Sequence, residues 1–279
     1  MGGREKKRLS ILGDIFAHKR QEVAQRQQAQ SLVKLQAAAE SAAPAMDLCA
    51  ALRQSRARPA LITEVKKASP SRGLLAADFD PLRLARLYQQ NGAAAISVLT
   101  DERFFQGSLE HLSQIAALSP RLPLLRKDFI FDEYQVHEAR LAGADAILLI
   151  AAMLEPEQLR RLHRLAQQLQ MTPLVEVHTL PELAAALHCE PLLVGINNRN
   201  LHDFSVSLET TLALKPHIPA GILVVAESGI HTPQDVERLA QAGVDAILVG
   251  EALVTAPDVG AAVLSLVRLP AAGPAGDAA

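Results

Sequence analysis

The chain has no tryptophan, only two cysteines, no long apolar run and almost no charge imbalance, and each shortage excludes a class of protein. Cys49 and Cys189 lie far apart, in neither metal-ligand nor redox spacing. They read as small buried apolar residues of a protein from a reducing compartment. Lys and Arg number 28 against 30 Asp and Glu, a net charge of −2. A nucleic-acid binder carries a clustered basic excess, which this balance argues against. The longest candidate for a membrane span, Ala144 to Leu154, is interrupted by Asp145 and falls short of the roughly 18 residues required. The basic start Met1 to Arg8 resembles the head of a signal peptide, but Asp14, His18, Lys19 and Arg20 break the apolar stretch that should follow. Lys6 spoils the myristoylation pattern. A soluble, cytoplasmic protein without nucleic-acid or membrane partners is expected. No G-x-G-x-x-G turn follows any candidate strand, so no nucleotide fingerprint is present. His178, His202, His217 and His231 lack ligand spacing, so no metal is assigned.

Apolar residues, by contrast, make up 49% of 279 positions, enough for one α/β barrel of about 250 residues plus an extension. Three segments share a pattern: Gly92-Ala93-Ala94-Ala95-Ile96, Gly143-Ala144-Asp145-Ala146-Ile147 and Gly243-Val244-Asp245-Ala246-Ile247. Each glycine ends a helix-like stretch and opens a short apolar one, where a left-handed C-cap is required. Eight apolar runs emerge: Ala60–Val65, Ala94–Leu99, Pro123–Arg126, Ala146–Ile150, Pro173–Val177, Leu192–Ile196, Ile222–Ala226 and Ala246–Val249. Continuous apolar runs fit parallel strands buried on both faces. Eight βα units predict an α/β fold, a closed (β/α)8 TIM barrel with an N-terminal helical extension. Residues 1–56 form the extension packed on the barrel, 57–269 the barrel, and 270–279 an Ala/Gly/Pro-rich tail that frays. Ile11 to Gln30 reads as one or two amphipathic helices and Ser31 to Arg56 as further helix.

In such a barrel the site lies at the C-terminal strand ends. There stand Glu64 and Lys66, Lys127, Glu176, Asn197, Glu227 and Gly250, each closing an apolar run. One charge at a strand end is usually a structural ion pair or a rim residue; the full set at one face is a poor accident. Glu64, Glu176 and Glu227 against Lys66, Lys127 and Arg199 suggest a balanced ring of charge. Glu64 and Lys66 share a strand face, with Lys67 opposite, and Glu176 shares its face with His178. Because Glu176 sits within Leu-Val-Glu-Val, its carboxyl is expected to be raised toward the range of a general acid or base. His178 is read as a structural histidine. Glu227-Ser228-Gly229-Ile230 and Val249-Gly250-Glu251-Ala252 follow the seventh and eighth runs, where these barrels hold phosphate; Glu251 is expected to turn its side chain away and offer only its N–H.

These residues resemble the indole-3-glycerol-phosphate synthase family. The resemblance rests on Leu61-Ile62-Thr63-Glu64-Val65-Lys66-Lys67-Ala68-Ser69-Pro70-Ser71, Ser97-Val98-Leu99-Thr100-Asp101, Leu124-Leu125-Arg126-Lys127-Asp128-Phe129-Ile130, Leu174-Val175-Glu176-Val177-His178, Gly195-Ile196-Asn197-Asn198-Arg199 and Ala226-Glu227-Ser228-Gly229-Ile230. The Ile11-Leu12 … Ile15 … Lys19 … Glu22-Val23 pattern is similar to that family's extension helix. It implies a cofactor-free lyase of tryptophan biosynthesis that closes 1-(2-carboxyphenylamino)-1-deoxyribulose 5-phosphate to indole-3-glycerol phosphate, releasing CO2 and water. By the same resemblance Lys127 is the general acid, Glu176 the base of the dehydration, and Lys66 the group that holds the substrate carboxylate. The sharing of proton transfers between Lys66 and Lys127 stays open. Glu64, Asn197 and Glu227 orient the lysines and substrate hydroxyls, while Ser69, Arg199, Ser228, Gly229, Gly250 and Glu251 contact substrate or phosphate. Asn198 and Glu251 depart from a pattern in which serine is frequent. Another phosphosugar barrel enzyme, such as phosphoribosylanthranilate isomerase or an aldolase using Lys127, and a non-catalytic phosphoribosyl-ligand binder remain as alternatives, and association with other pathway enzymes stays open.

Overall fold

The computed structural model of the chain describes residues 11–267 apart from His202, so the expected tail and the first ten residues of the extension lie outside the described residues. All eight apolar runs are strands, displaced by at most one residue: β1 (Ala60–Val65), β2 (Ala95–Leu99), β3 (Leu124–Lys127), β4 (Ala146–Ile150), β5 (Thr172–Val177), β6 (Leu193–Asn197), β7 (Leu223–Glu227) and β8 (Ala246–Val249). Every neighbouring pair is parallel and β8 closes onto β1, making an eight-stranded barrel. The repeat glycines are left-handed as expected, at φ 95° (Gly92), 88° (Gly143) and 73° (Gly243).

Strand alternation divides the core in two. Ile62, Leu125, Leu148, Leu174, Val225 and Leu248 fill the barrel, whereas Leu61, Ile96, Leu124, Ile147, Val175 and Ile247 pack outward under the helices. The outer ring consists of α4 (Pro81–Gln90), α5 (Glu102–Phe105), α6 (Leu109–Ala116), α7 (Glu133–Leu141), α8 (Pro156–Gln168), α9 (Leu180–Leu187), α10 (Glu209–Leu214), α11 (Pro233–Gln241), α12 (Glu251–Val254) and α13 (Val259–Leu266). Side chains cap most starts: Asp80, Asp101, Ser108, Asp132, Thr179, Thr232 and Asp258 each accept a backbone N–H. Such caps are worth about 1 kcal/mol apiece. At the base, the repeat aspartates fasten adjacent strands. Asp145 Oδ2 accepts the Leu124 N–H and Asp245 Oδ2 the Val224 N–H, both at 2.8 Å. The repeat at Gly92 has Ala94 in the equivalent place.

Before β1 come three helices: α1 is one long helix (Ile11–Ala29), and the stretch expected to be further helix holds two, α2 (Leu32–Glu40) and α3 (Leu48–Gln54). Leu48, Cys49 and Leu52 of α3 join the interior cluster and close the base. Val23 and Leu35 of α1 and α2 pack with Tyr134 of α7. Cys189 differs from expectation in being only half-buried. α1 reaches the mouth of the barrel, where Lys19, fully buried, lies 2.8 Å from Asp101, 3.0 Å from Asp128 and 3.0 Å from Glu22. Asp128 also meets the buried Arg126 guanidinium at 3.1 Å. Burial works against the Lys19 charge, but Asp128, Asp101 and Glu22 outweigh it and hold the ammonium above its ordinary range. Among the described residues no helix is long and apolar enough to cross a membrane.

Candidate active site

At the C-terminal end of the barrel, the strand-end residues singled out by the sequence converge on one cleft. Lys127 Nζ, on the last residue of β3, donates to Glu176 Oε2 of β5 at 3.0 Å and to Glu227 Oε2 of β7 at 2.5 Å. Lys66, just beyond β1, pairs with Glu64 Oε1 at 2.7 Å, and the Ser97 hydroxyl donates to Glu64 Oε2 at 3.5 Å. Asn197 closes β6 opposite Glu227 in the register, and its Oδ1 accepts the Arg199 N–H at 3.0 Å. Glu64, Glu176 and Glu227 are each at most 5% exposed, so each carboxylate relies on these partners rather than on water.

Two glycines make this crowding feasible. A Cβ on Gly195, inside β6, would land on Glu227 Oε1, and one on Gly250 would land on Glu64 Oε1. The sequence marked Gly250 as a phosphate-loop glycine; its second duty, clearing space for a carboxylate, was not legible, and neither was the whole role of Gly195.

The electrostatics correct one expectation. Burial does act to raise the Glu176 carboxyl, but the Lys127 ammonium, His178 and Asn197 overturn it and leave it below the usual range. The raised carboxyl is Glu227. Complete burial, with Glu176 and Glu64 adding negative charge, outweighs Lys127 and pushes it up to about 7. Both carboxylates are equally buried, and one ammonium cannot offset the burial of both; Glu227, with Glu176 and Glu64 as negative neighbours, is the one left harder to ionise. Burial would lower the Lys127 ammonium, yet Glu176, Glu227 and Glu64 hold it well above its ordinary value. Lys127 therefore carries its proton at neutral pH.

A stability measurement tests the proton on Glu227. Its folded pKa is above its unfolded one, so between about 4.5 and 7 the unfolded chain has released a proton that the folded chain retains. Stability from this group is complete below the unfolded value and is lost as pH rises through about 7. Urea unfolding of wild type and Glu227→Gln should accordingly diverge, the wild type losing ground to the variant between pH 5 and 8. Curves that shift in parallel over this interval would show that Glu227 is already ionised at pH 5.

His178, read as a structural histidine, lies between two carboxylates. Its Nδ1 lies 3.1 Å from Glu182 and its Nε2 3.5 Å from Glu176. Burial lowers its pKa, but Glu182 and Glu176 reverse the effect and raise it. The expected balanced ring of charge is uneven: Lys66 and Lys127 are paired, while the Arg199 guanidinium donates a 3.4 Å hydrogen bond to the Phe204 carbonyl and has no carboxylate partner among the described residues. Glu251 lines the cleft, and its carboxylate meets Nε of the exposed Arg72 at 3.5 Å. Arg72 sits in the short hairpin Ala68–Ser69/Gly73–Leu74 that follows β1, and the opposed cation offsets the Glu251 charge beside the glycine turns.

The cleft has two lobes that share Glu64, Lys66, Lys127, Arg199, Ser228 and Glu251. One has an apolar wall of Leu99, Phe105, Phe129, Leu148, Ile150 and Phe204, with Ile15 of α1 at its edge. The other is lined by Ser228, Gly229, Val249 and Gly250 at the ends of β7 and β8. Ser69 is buried, with its hydroxyl unpaired, at the edge of the apolar lobe. Every site residue expected from sequence thus lines one or both lobes. The apolar wall was missed, because its residues are scattered over loops and strand ends and share no spacing. An aromatic ring fits beside the hydrophobic wall, an anion fits the glycine turns, and a charged proton donor stands between. Among the described residues no cluster of three His, Cys, Asp or Glu side chains is arranged to hold a metal ion.

Comparison with known proteins agrees with this geometry. Residues 12–266 match the family model described as indole-3-glycerol phosphate synthase. The chain is 52% identical to the indole-3-glycerol phosphate synthase of Albidiferax ferrireducens over 258 residues, covering 92% of this chain and 97% of that one. Against the enzyme of the same name from Roseiflexus sp. it is 52% identical over 264 residues, covering 92% and 98%. Among solved structures, 3-hexulose-6-phosphate synthase from Salmonella typhimurium superposes with a TM-score of 0.60 at 12% identity, covering 74% of this chain and 96% of that one. That likeness speaks for the barrel alone.

Proposed function

Because the chain belongs to the indole-3-glycerol phosphate synthase family, we propose that its cleft closes 1-(2-carboxyphenylamino)-1-deoxyribulose 5-phosphate to indole-3-glycerol phosphate, CO2 and water. The observation that carries the reading is Lys127, a protonated lysine braced by Glu176 and Glu227 at the junction of an apolar and an anion-binding lobe.

The substrate's carboxyphenyl ring lies along the wall of Phe105, Phe129 and Leu148, its carboxylate toward Lys66. Its phosphate takes the turns at Ser228–Gly229 and Gly250–Glu251, with Arg199 supplying positive charge. This pose folds a flexible chain so that the ring carbon bearing the carboxylate meets the ketone carbon, which removes an entropic part of the barrier. The aromatic amine supplies the electron pair for the new carbon–carbon bond, and the ketone oxygen takes its proton from Lys127. Loss of CO2 returns the electron pair of the carboxyl bond to the ring system. The hydroxyl formed then leaves as water, while a base removes the proton that completes the indole. Glu176 suits that last role: ionised, buried and anchored on the same lysine. Lys66, held by Glu64, is the second proton donor within reach of the leaving hydroxyl.

The direct test adds the carboxyphenylamino-deoxyribulose phosphate to the purified chain and follows indole fluorescence, against a background free of tryptophan. Absence of any indole product would remove the reading. Glu176→Gln should lower turnover by about 10²-fold, within the range of one positioned acid–base group. An unchanged rate in that variant would take Glu176 out of the chemistry. Trapping by borohydride with substrate, which marks a Schiff-base aldolase, should give no covalent adduct at Lys127.

A further inference from the structure

The turn after β7 contains two consecutive left-handed residues, Ser228 at φ 67° and Gly229 at φ 76°. Glycine takes this conformation freely, and at Gly229 a side chain would in addition collide with Val206. Serine takes it only where its surroundings enforce it. Among the described residues, the N–H groups of Gly229 and Ile230 donate to no protein acceptor, so they are free for a ligand.

The enforcing contact comes from the neighbouring strand end. Asn198, one residue past β6 and 2% exposed, donates from Nδ2 to the Ser228 carbonyl at 3.1 Å. Its Oδ1 accepts the Thr211 N–H at 3.1 Å and the Thr211 hydroxyl at 2.8 Å. Two donors on Oδ1 fix which way the amide faces, since NH2 in that place would meet them donor to donor. The Asn198 backbone is equally committed: its N–H donates to the Glu227 carbonyl at 2.9 Å and its carbonyl accepts from Ser207 at 3.1 Å. Asn198 thereby ties the end of β6, the start of α10 and the turn after β7 into one unit, yet it lines neither lobe of the cleft.

We propose that Asn198 is a positioning residue for anion binding: through the Ser228 carbonyl it holds the Ser228–Gly229 peptide so that the turn's N–H groups meet a phosphate. The inference rests on the phosphate reading of this turn. Asparagine spans to the adjacent backbone with one rigid amide that bonds at both ends.

Asn198→Ala is tested beside Thr211→Val, which removes the hydroxyl bond to Asn198 but leaves both the Thr211 N–H and the contact with Ser228. Three quantities are read: the inhibition constant of inorganic phosphate, the kcat and KM of the substrate, and the thermal midpoint. Asn198→Ala should raise the phosphate inhibition constant and KM by about tenfold each, the worth of one buried hydrogen bond, with kcat changed by no more than about threefold. Thr211→Val should lower the thermal midpoint yet leave phosphate inhibition within about twofold of wild type, because the donor to Ser228 stays in place. Should the alanine variant not fold, Asn198→Leu refills the space without a donor and is read in the same way. Phosphate inhibition that is unaltered in the Asn198 variant, or weakened equally in both, overturns the positioning role while the phosphate site stands. Failure of inorganic phosphate to compete even in the wild type overturns the phosphate reading of the turn, and this inference with it.

Discussion

Lys127→Ala is expected to cut turnover by about 10²–10⁴-fold while substrate still binds, the span associated with a positioned proton donor. A lysine ammonium has three protons. Two are committed to Glu176 at 3.0 Å and Glu227 at 2.5 Å, leaving the third for a substrate oxygen in the cleft. Those bonds are made before substrate arrives, so the donor spends no free energy on reorganisation when charge develops on the ketone oxygen. Removing the side chain deletes an interaction concentrated in the transition state, which lowers kcat and kcat/KM together and leaves ground-state binding largely intact. Lys127→Arg sharpens the argument. It keeps a cation between the two glutamates, but a guanidinium does not give up its proton, so turnover should again fall by at least about 10²-fold. Steady-state kinetics on folded variants checks both, and more than about a tenth of wild-type turnover in either contradicts the general-acid assignment.

The second large effect is on stability. Lys19→Met should destabilise the fold by about 3–5 kcal/mol, because it strips the cation from buried Asp101 and Asp128 without removing their charges. For a chain of this size that corresponds to a fall in thermal midpoint of roughly 6–20 °C. The effect also has a pH signature. Although burial opposes it, Lys19 and Arg126 hold the Asp128 carboxyl well below the usual carboxylate range. A depressed carboxyl contributes stability that is complete above its unfolded pKa of about 3.9 and is lost as pH falls through the folded value. The gap between wild type and Lys19→Met should therefore be full at pH 7 and narrow below about pH 4. Calorimetry across that range decides it, and a gap under about 1 kcal/mol at pH 7 would place Lys19 among pairs that contribute little.

What the sequence revealed and what it concealed follow from the range of the interactions involved. The strands were legible because burial on both faces leaves unbroken apolar runs, and their starts because Gly92, Gly143 and Gly243 mark left-handed helix ends. The site was legible as a list, since a charge closing an apolar run is conspicuous: Lys127, Glu176 and Glu227 were each visible alone. Their pairing was not. The environment of Glu176 within Leu-Val-Glu-Val suggested a raised carboxyl, and only the ammonium brought in from β3 reverses that sign. Lys19 was visible in the extension-helix pattern, on one face with the buried Ile15 and Val23, but its ionic role was not, because Asp101 and Asp128 come from distant segments. Phe105, Phe129 and Phe204 come from three separate segments, and no period joins them before the barrel does.

The fastenings of Asp145 to Leu124 and of Asp245 to Val224 bear on how the molecule divides its labour. The strand pairs they join lie four strands apart around the ring, so half a circuit carries one onto the place of the other. The floor of the molecule is in this respect two-fold, while its rim is wholly unlike from side to side. A substrate with a ring at one end and a phosphate at the other needs a receptacle without such symmetry. Here the inequivalence is confined to side chains and turns above a floor that has no need to know which end is which, so the rim can diversify without disturbing the foundation that keeps it round.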